Sequence, residues 1–336
     1  MRRLFPPPAL PALLLGGALA VAACKAPQAY GDRNSIIIRV DTAVWRAHET
    51  LIEDALEPRI FTVRPERTFH VTPVHPWQPQ WAQLRQWQQV LVLDTLGDSV
   101  VDFLLRKAKA SSEPWTRAQV ADVWARGQTV TVMALPREVD RERLRAEMEQ
   151  IHGVLDRQFR AWARNRMFAS GVNDSLAGAL EARGFHLTLP NVYGHAIQDS
   201  FFLFRNAYPD PSRLLRSILL TWLRDGAALP APEQLRDWRD QIAERFYQPP
   251  QDLDAEGRRF DTVTVQGRPA LEMRGVWRDR SDYPAAGLFI ARAVACPRQS
   301  RTYYMDAYLY APGRDDKYQY VLQLETLLDS FRCLEG

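Results

Sequence analysis

Apolar and polar positions along this chain follow two styles, and the change between them falls near residue 170. Before it, apolar runs of strand length alternate with stretches whose apolar residues recur every three or four positions. Ile36-Ile37-Ile38-Arg39-Val40 predicts a strand, and Asp41-Thr42 supplies the cap of a helix carrying Val44, His48, Leu51 and Ala55 on one face. Further strands are predicted over 69–74, 90–93 and 129–135, with one helix over 100–107 and a second, capped by Thr116, that includes Val120, Val123 and Trp124. Leu144, Met148, Ile151, Leu155, Phe159 and Trp162 then form one apolar stripe on a helix over 137–168. At roughly 45 Å that helix is longer than one small domain needs, so it either packs across the first half or pairs with a partner helix.

After Ala169-Ser170-Gly171, Asn173 or Asp174 caps a short helix ending at Gly184, and strand-like segments then follow one another over 185–189, 201–205, 217–223, 262–265, 271–277, 288–295 and 303–310. Breakers such as Gln266-Gly267 and Pro297-Arg298-Gln299 separate the later ones, as antiparallel hairpins require. Two helices interrupt the strands. One carries Leu235, Trp238, Ile242 and Phe246, and the terminal one carries Val321, Leu324, Leu328 and Phe331, with Asp315 and Asp316 near its positive end. The expectation is an α+β protein of two α/β-type domains, 34–170 ending in the long helix and 171–336 an antiparallel sheet covered by helices.

The first 24 residues break both styles. Arg2 and Arg3 precede an apolar run of about 15 residues, too short to span a ~30 Å hydrocarbon core, and Val21-Ala22-Ala23 leads into Cys24. The pattern predicts a lipoprotein signal peptide over 1–24, with Cys24 as the lipidated first residue of the mature chain, and a short tether over 25–33. The membrane is then a partner through the N-terminal lipid. Lys25-Ala26-Pro27-Gln28 has neither an aspartate after the cysteine nor an acidic run, which points to a periplasm-facing protein on the outer membrane of a bacterial envelope.

Charge changes the picture only by exclusion. The formal net charge is +3, but Arg2 and Arg3 leave with the signal, and the balanced remainder has no clustered excess of positive charge of the kind nucleic acid requires. Lysine occurs only at Lys25, Lys107, Lys109 and Lys317, so nearly every basic residue is an arginine. With Cys24 acylated, Cys296 and Cys333 remain; in an oxidising compartment they form one disulfide fastening the terminal helix to the sheet, or they stay as two buried thiols.

Phrases spread over the mature chain resemble the bacterial lipoproteins grouped as domain of unknown function 4837. They are Asp41 followed by Trp45; Pro65-Glu66 before Phe69; Asp122-Val123-Trp124-Ala125 leading to Gln128; Arg239-Asp240; Arg274-Gly275-Val276-Trp277 with Gly287 and Phe289; Tyr310-Ala311-Pro312-Gly313; and Gln323-Leu324-Glu325 with Ser330. Two phrases depart from that pattern, Gln88-Gln89 and the loop Ala285-Ala286-Gly287-Leu288-Phe289. The resemblance implies an extracytoplasmic lipoprotein and no reaction. The second half also resembles, more weakly, the PsbP and Mog1-like fold, through Pro190, Tyr193, the antiparallel strands and the terminal Asp329-Ser330-Phe331.

Catalytic signatures are sparse. His48-Glu49 lacks the second histidine of a zincin helix, His70 and His75 point to opposite sides of an extended run, and no Gly-x-Ser-x-Gly elbow or phosphate-binding glycine loop occurs, so neither a metal nor a cofactor is expected. Trp77, Trp81 and Trp87 stand together among glutamines; they either pack on the sheet or form a stacking surface for a sugar or peptide. The reading that results is a lipid-anchored envelope protein with a non-enzymatic binding or assembly role, its partner an envelope protein or a glycan. The alternative is an envelope hydrolase or carbohydrate-acting enzyme whose residues converge only in three dimensions.

Overall fold

Three consecutive isoleucines leave a strand apolar on both sides, and only a sheet covered on both faces can bury it. The first half is built around such a sheet. The computed structural model describes residues 26–224, 228–254 and 257–334, so the signal peptide and Cys24 lie outside the described residues. In chain order this half runs β1 (Ser35–Val40), α1 (Thr42–Leu56), a ribbon of β2 (Arg59–Ile60) and β3 (Glu66–Arg67), β4 (His70–Val74), α2 (Trp81–Leu84), β5 (Gln89–Thr95), α3 (Ser99–Ala108), β6 (Arg117–Ala121), β7 (Thr129–Leu135) and α4 (Arg141–Met167). The sheet order is β4-β1-β5-β7-β6, parallel except for β6. Ile36, Ile38 and Val40 face α1 and α4, whereas Ile37 packs with Val101, Leu104 and Leu105 of α3 on the other side.

The second half continues with α5 (Asp174–Glu181), β8 (Phe185–His186), β9 (Gly194–Gln198), β10 (Phe201–Asn206), β11 (Leu215–Leu223), α6 (Pro232–Phe246), β12 (Gln251–Leu253), β13 (Arg259–Val265), β14 (Arg268–Asp279), β15 (Ala286–Cys296), β16 (Arg301–Tyr310), α7 (Tyr318–Asp329) and β17 (Arg332–Cys333). Its sheet is antiparallel, in the order β12-β14-β15-β16-β11-β10-β9, with β13 paired to β14 beside β12. One face packs under α6 through Leu235, Trp238 and Ile242; the other packs under α5 and α7 through Leu180, Val321, Leu324 and Leu328. The protein is α+β.

Two local expectations differ from the structure. The stretch after Thr116 is not a helix. Ala118 and Val120 alternate with Arg117, Gln119 and Ala121, and β6 pairs antiparallel with β7, Val120 opposite Val130, before a turn in which Asp122 and Gly127 take positive φ. The described part of the tether is not free either. Ala29 is buried, Gln28 and Tyr30 form isolated bridges to Arg126 and Trp87, and the Tyr30 ring meets Trp87 edge-on at 4.8 Å, because an apolar Ala and an aromatic ring pack against the loops that lead into β5 and β7. Asp316, two residues before the start of α7 at Tyr318, bonds Asn34 and His70 of the first half at 3.1 Å each.

The terminal helix is buried almost all round, the signature of a helix with cores on more than one side. Tyr318 and Leu322 belong to the core of the first half, whereas Val321, Leu324, Leu327 and Leu328 belong to that of the second. The long helix α4 does the same in reverse. Its stripe from Leu144 to Ala163 covers the first sheet, and its last residue, Met167, enters the second core. A seam walled by α4 and α7 therefore joins the two halves.

Candidate functional site

The three tryptophans do not make one stacking surface. Trp77 is 73% exposed, donates weakly from Nε1 to Thr42 Oγ1 at 3.4 Å, and lies over His75 with ring centres 6.1 Å apart. Trp81 turns inward, edge-on to Trp124 at 5.2 Å and 5.8 Å from the Arg39 guanidinium carbon. Trp87 covers Gly31 so closely that an added Cβ would sit 2.0 Å from the ring. Within this stretch only residues 81–84 are helical, so Trp77 lies outside α2.

Parallel sheets with helices on both faces offer a crevice at the carboxyl ends of their strands where the winding reverses, here between β1 and β5. In this chain that crevice holds Arg39, a charge inside an otherwise apolar strand. Its guanidinium bonds Asp94 at 3.1 Å and Asp98 at 2.8 Å, and Asp98 also caps α3 through the amides of Val100 and Val101. Burial holds the Asp94 carboxyl above the ordinary carboxylate range. Charge is satisfied internally there, and among the described residues no group of three or more His, Cys, Asp or Glu could hold a metal ion.

Cys296 closes β15 and Cys333 lies on β17, which pairs with β8; the two are joined in a disulfide with α-carbons 5.9 Å apart.

Beneath α6 lies a fully buried charged cluster. Arg239 and Asp306 are both 0% exposed and pair at 3.2 Å; Tyr247 donates to Asp306 Oδ2 at 2.6 Å, and Arg239 Nη2 donates to Gln251 at 2.7 Å. The Arg239 guanidinium carbon sits 4.7 Å from the centre of the Phe289 ring. Gly275 gives that ring its space, since a Cβ there would lie 2.6 Å from it, and Gly287 does the same for Trp277. Burial, followed by the Asp306 charge, drives the Tyr247 phenol well above its ordinary range. Arg239, Gly275, Trp277, Gly287 and Phe289, the residues that carry much of the resemblance noted above, thus meet at one internal point. A second chain of ion pairs runs from Arg292 through Glu272 to Arg274, on to Glu325 of α7, and across the seam to Arg160 of α4. Burial raises the Glu272 carboxyl, but Arg292 and Arg274 outweigh it and hold the group below the ordinary range.

Along the seam the charge is not closed. A cavity of about 490 Å³ opens where the end of α4, the loop before β9, the β10–β11 connection and the start of α7 converge, and its walls include Arg166, Arg216 and Arg314 but no carboxylate. Arg216 is only 7% exposed, yet its partners are neutral, the Gln323 Oε1 at 2.8 Å and the Tyr208 carbonyl at 3.0 Å. Burial, with the Arg314 charge beside it, pushes the Arg216 pKa down. Arg216 and Arg314 both lie against the Tyr320 ring, at 5.4 and 5.6 Å. No carboxylate of the described residues comes within 4.0 Å of any of the three guanidiniums. Close by, the Tyr193 hydroxyl is buried without a partner, and burial pushes its pKa up to about 12. These arginines left no trace in the sequence pattern, because arginine is the common basic residue throughout and residues 166, 216 and 314 are joined only by the fold. The one legible hint was the position of Arg216 at the start of an apolar strand.

Residues 176–330 match the family described as Domain of unknown function (DUF4837). The match covers less than half of the chain. It takes in α5 through the end of α7, and so includes the buried Arg239 cluster, Arg216 and Arg314, while Arg166 comes from the helix before it. No curated protein matches the chain in sequence. In structure the chain is similar to a mutant of the protein Mog1, with 11% identity over 46% of this chain and 93% of that one at a TM-score of 0.34. It is also similar to the Saccharomyces cerevisiae Ran-binding protein Mog1p, with 12% identity over the same shares at a TM-score of 0.33. Nothing about this chain's partners follows from similarity at that level.

Proposed function

We propose that this chain is a lipid-anchored protein of the bacterial cell envelope, periplasm-facing and on the outer membrane, with a non-enzymatic binding or assembly role exercised along the seam between its halves. The anchor rests on the sequence, through the charged start, the short apolar run and Val21-Ala22-Ala23-Cys24. No helix among the described residues is long and apolar enough to cross a membrane. Tyr30 packs against Trp87 only six residues after Cys24, which would keep the body close to the lipid surface.

One observation carries the binding role. The other large charged clusters, Arg39 with Asp94 and Asp98, Arg239 with Asp306, and the chain from Arg292 to Arg160, each contain their own counter-charges, whereas the seam cavity contains none. A guanidinium that is nearly buried without an anion is costly, and an incoming partner that supplies one removes that cost. Two measurements test the proposal. Metabolic labelling with a fatty-acid probe should mark the wild type and not Cys24→Ala; equal labelling overturns the anchor. A photo-crosslinking side chain at Gln319, on the cavity wall, should capture an envelope component that the same probe at Tyr283, 93% exposed and not part of the cavity wall, does not. Identical capture from both positions overturns the seam as the binding surface.

A further inference from the structure

We propose that the seam cavity binds a phosphate or phosphate-ester group, held by Arg166, Arg216 and Arg314 together. The proposal rests on the seam being the binding surface and adds the chemistry of what binds there.

Three features of the cavity select this ligand class. The first is charge count. A carboxylate is satisfied by one guanidinium through two parallel hydrogen bonds, whereas a tetrahedral phosphate offers oxygens in several directions and accepts from two or three forks at once. Three arginines lining one cavity with no carboxylate among its walls match the second pattern. The second is burial. Arg216 is 7% exposed and bonds only neutral oxygens, and the Nε atoms of Arg216 and Arg314 are buried with no acceptor, so the arginines are held in place without a counter-ion. The Tyr320 ring holds Arg216 and Arg314 from one side, and the Gln323 side chain fixes Arg216 from α7, which sets the forks in position before any ligand arrives. The third is size. A cavity of about 490 Å³ falls within the ~300 to 1,000 Å³ range of small-molecule sites and is far larger than a phosphate alone. Its remaining walls include Met167, Val192, Leu214 and Pro209, apolar surface suited to the organic part of an ester.

Such an ester has two sources, a soluble metabolite or the headgroup of a phospholipid. Val192 and Tyr208 at the cavity wall are 49% and 76% exposed, which would suit contact with acyl chains, while the cavity itself would accept a soluble ester equally.

The test uses the full chain in phosphate-free buffer. Calorimetric titration with inorganic phosphate and with glycerol 3-phosphate should show saturable binding that weakens as salt is added. Arg166→Gln, an exposed side chain whose loss leaves both cores intact, should weaken binding about tenfold or more, as expected for one charge-assisted hydrogen-bonding partner. Arg314→Gln should do the same, and Arg145→Gln, exposed on the far part of α4, should leave it unchanged. Co-sedimentation with phosphatidylcholine vesicles, with and without phosphatidylglycerol, separates the sources: binding to the anionic vesicles alone assigns the headgroup, and binding to the soluble esters alone assigns a metabolite. Absence of binding in every arm overturns the proposal, as does binding that survives both Arg166→Gln and Arg314→Gln, or binding of citrate with none of phosphate. If these arms fail while the crosslinker at Gln319 still captures a component that Tyr283 does not, the seam remains the binding surface and only the ligand chemistry falls.

Discussion

At the scale of single residues, the structure turns on positions where one atom more or one charge less cannot be accommodated. Gly287 is the sharpest case. A Cβ there would lie 1.9 Å from the Leu309 carbonyl and 2.8 Å from Trp277 Nε1, so Gly287→Ala should destabilise the fold by about 1 to 3 kcal/mol or more. Gly178, inside α5 with open space around it, is the control, and Gly178→Ala should stabilise by up to about 1 kcal/mol; urea unfolding of the two variants measures both. Asp306→Asn removes the counter-charge of a fully buried arginine and should cost about 3 to 5 kcal/mol in the same assay, whereas a cost below about 1 kcal/mol would show that the pair is not ionised. His70 gives a pH signature. Its bond to Asp316, opposed in part by burial, raises its pKa above the ordinary 6.5. A raised folded pKa means the protonated form is stabilised by folding, so this contribution is complete below about pH 6.5 and fades as pH rises through the higher folded value. Wild type should therefore lose a little stability across that interval relative to His70→Gln, and parallel pH profiles for the two proteins would remove the His70–Asp316 pair from the account.

At the scale of elements, the disulfide and the edge strands decide how the second sheet is finished. Cys296 and Cys333 lie 37 positions apart, and on the chain-entropy account closing a loop of that length contributes about 3 to 4 kcal/mol. The end of α7 and the residues just after it are already buried through Leu327, Leu328 and Phe331, so the bond reinforces a packing that exists without it. Replacing Cys333 with Ser should thus lower the melting temperature while the far-ultraviolet circular dichroism of the folded protein stays the same; loss of that spectrum would mean that the bond is needed to form the sheet. The element that sequence pattern misassigned, β6, is instructive beside it. Val120, Val123 and Trp124 have a spacing compatible with a helix, and nothing within 116–124 reveals that β7 offers a free edge for Arg117–Ala121 to pair with. A strand at a sheet edge is defined by its neighbour, and the neighbour lies outside the window.

At the scale of the whole molecule, the halves are distinct in chain order but not in packing. Because α7 places Tyr318 and Leu322 in one core and Val321, Leu324 and Leu328 in the other, neither half can lose it without exposing apolar surface. Unfolding followed by fluorescence of tryptophans in the first half and by reduction-sensitive reporters at the disulfide in the second should show a single shared transition. Leu322→Ala should shift that transition as one, by about 2 to 5 kcal/mol. Two separated transitions would show that the seam is a loose contact and that α7 belongs to the second half alone.

Local pattern in the chain was enough for the α+β class, the change of style near residue 170, the long helix and the strands β1, β4, β5, β7, β10, β11 and β13 to β16, because hydrophobic periodicity and capping residues act over a few positions and are written in the chain directly. The terminal helix was legible only in part. Its stripe of Val321, Leu324 and Leu328 stands out, but the second stripe of Tyr318 and Leu322 acquires meaning only once a second core lies beside it. Tertiary structure alone decided that Trp77 faces solvent while Trp81 and Trp87 turn inward, and that Arg239, Gly275, Trp277, Gly287 and Phe289 meet. It also decided that Arg166, Arg216 and Arg314, scattered over some 150 positions, line one cavity. The physical reason is the same in each case: local pattern records which face of an element is buried, while charge and space depend on which other element lies across from it.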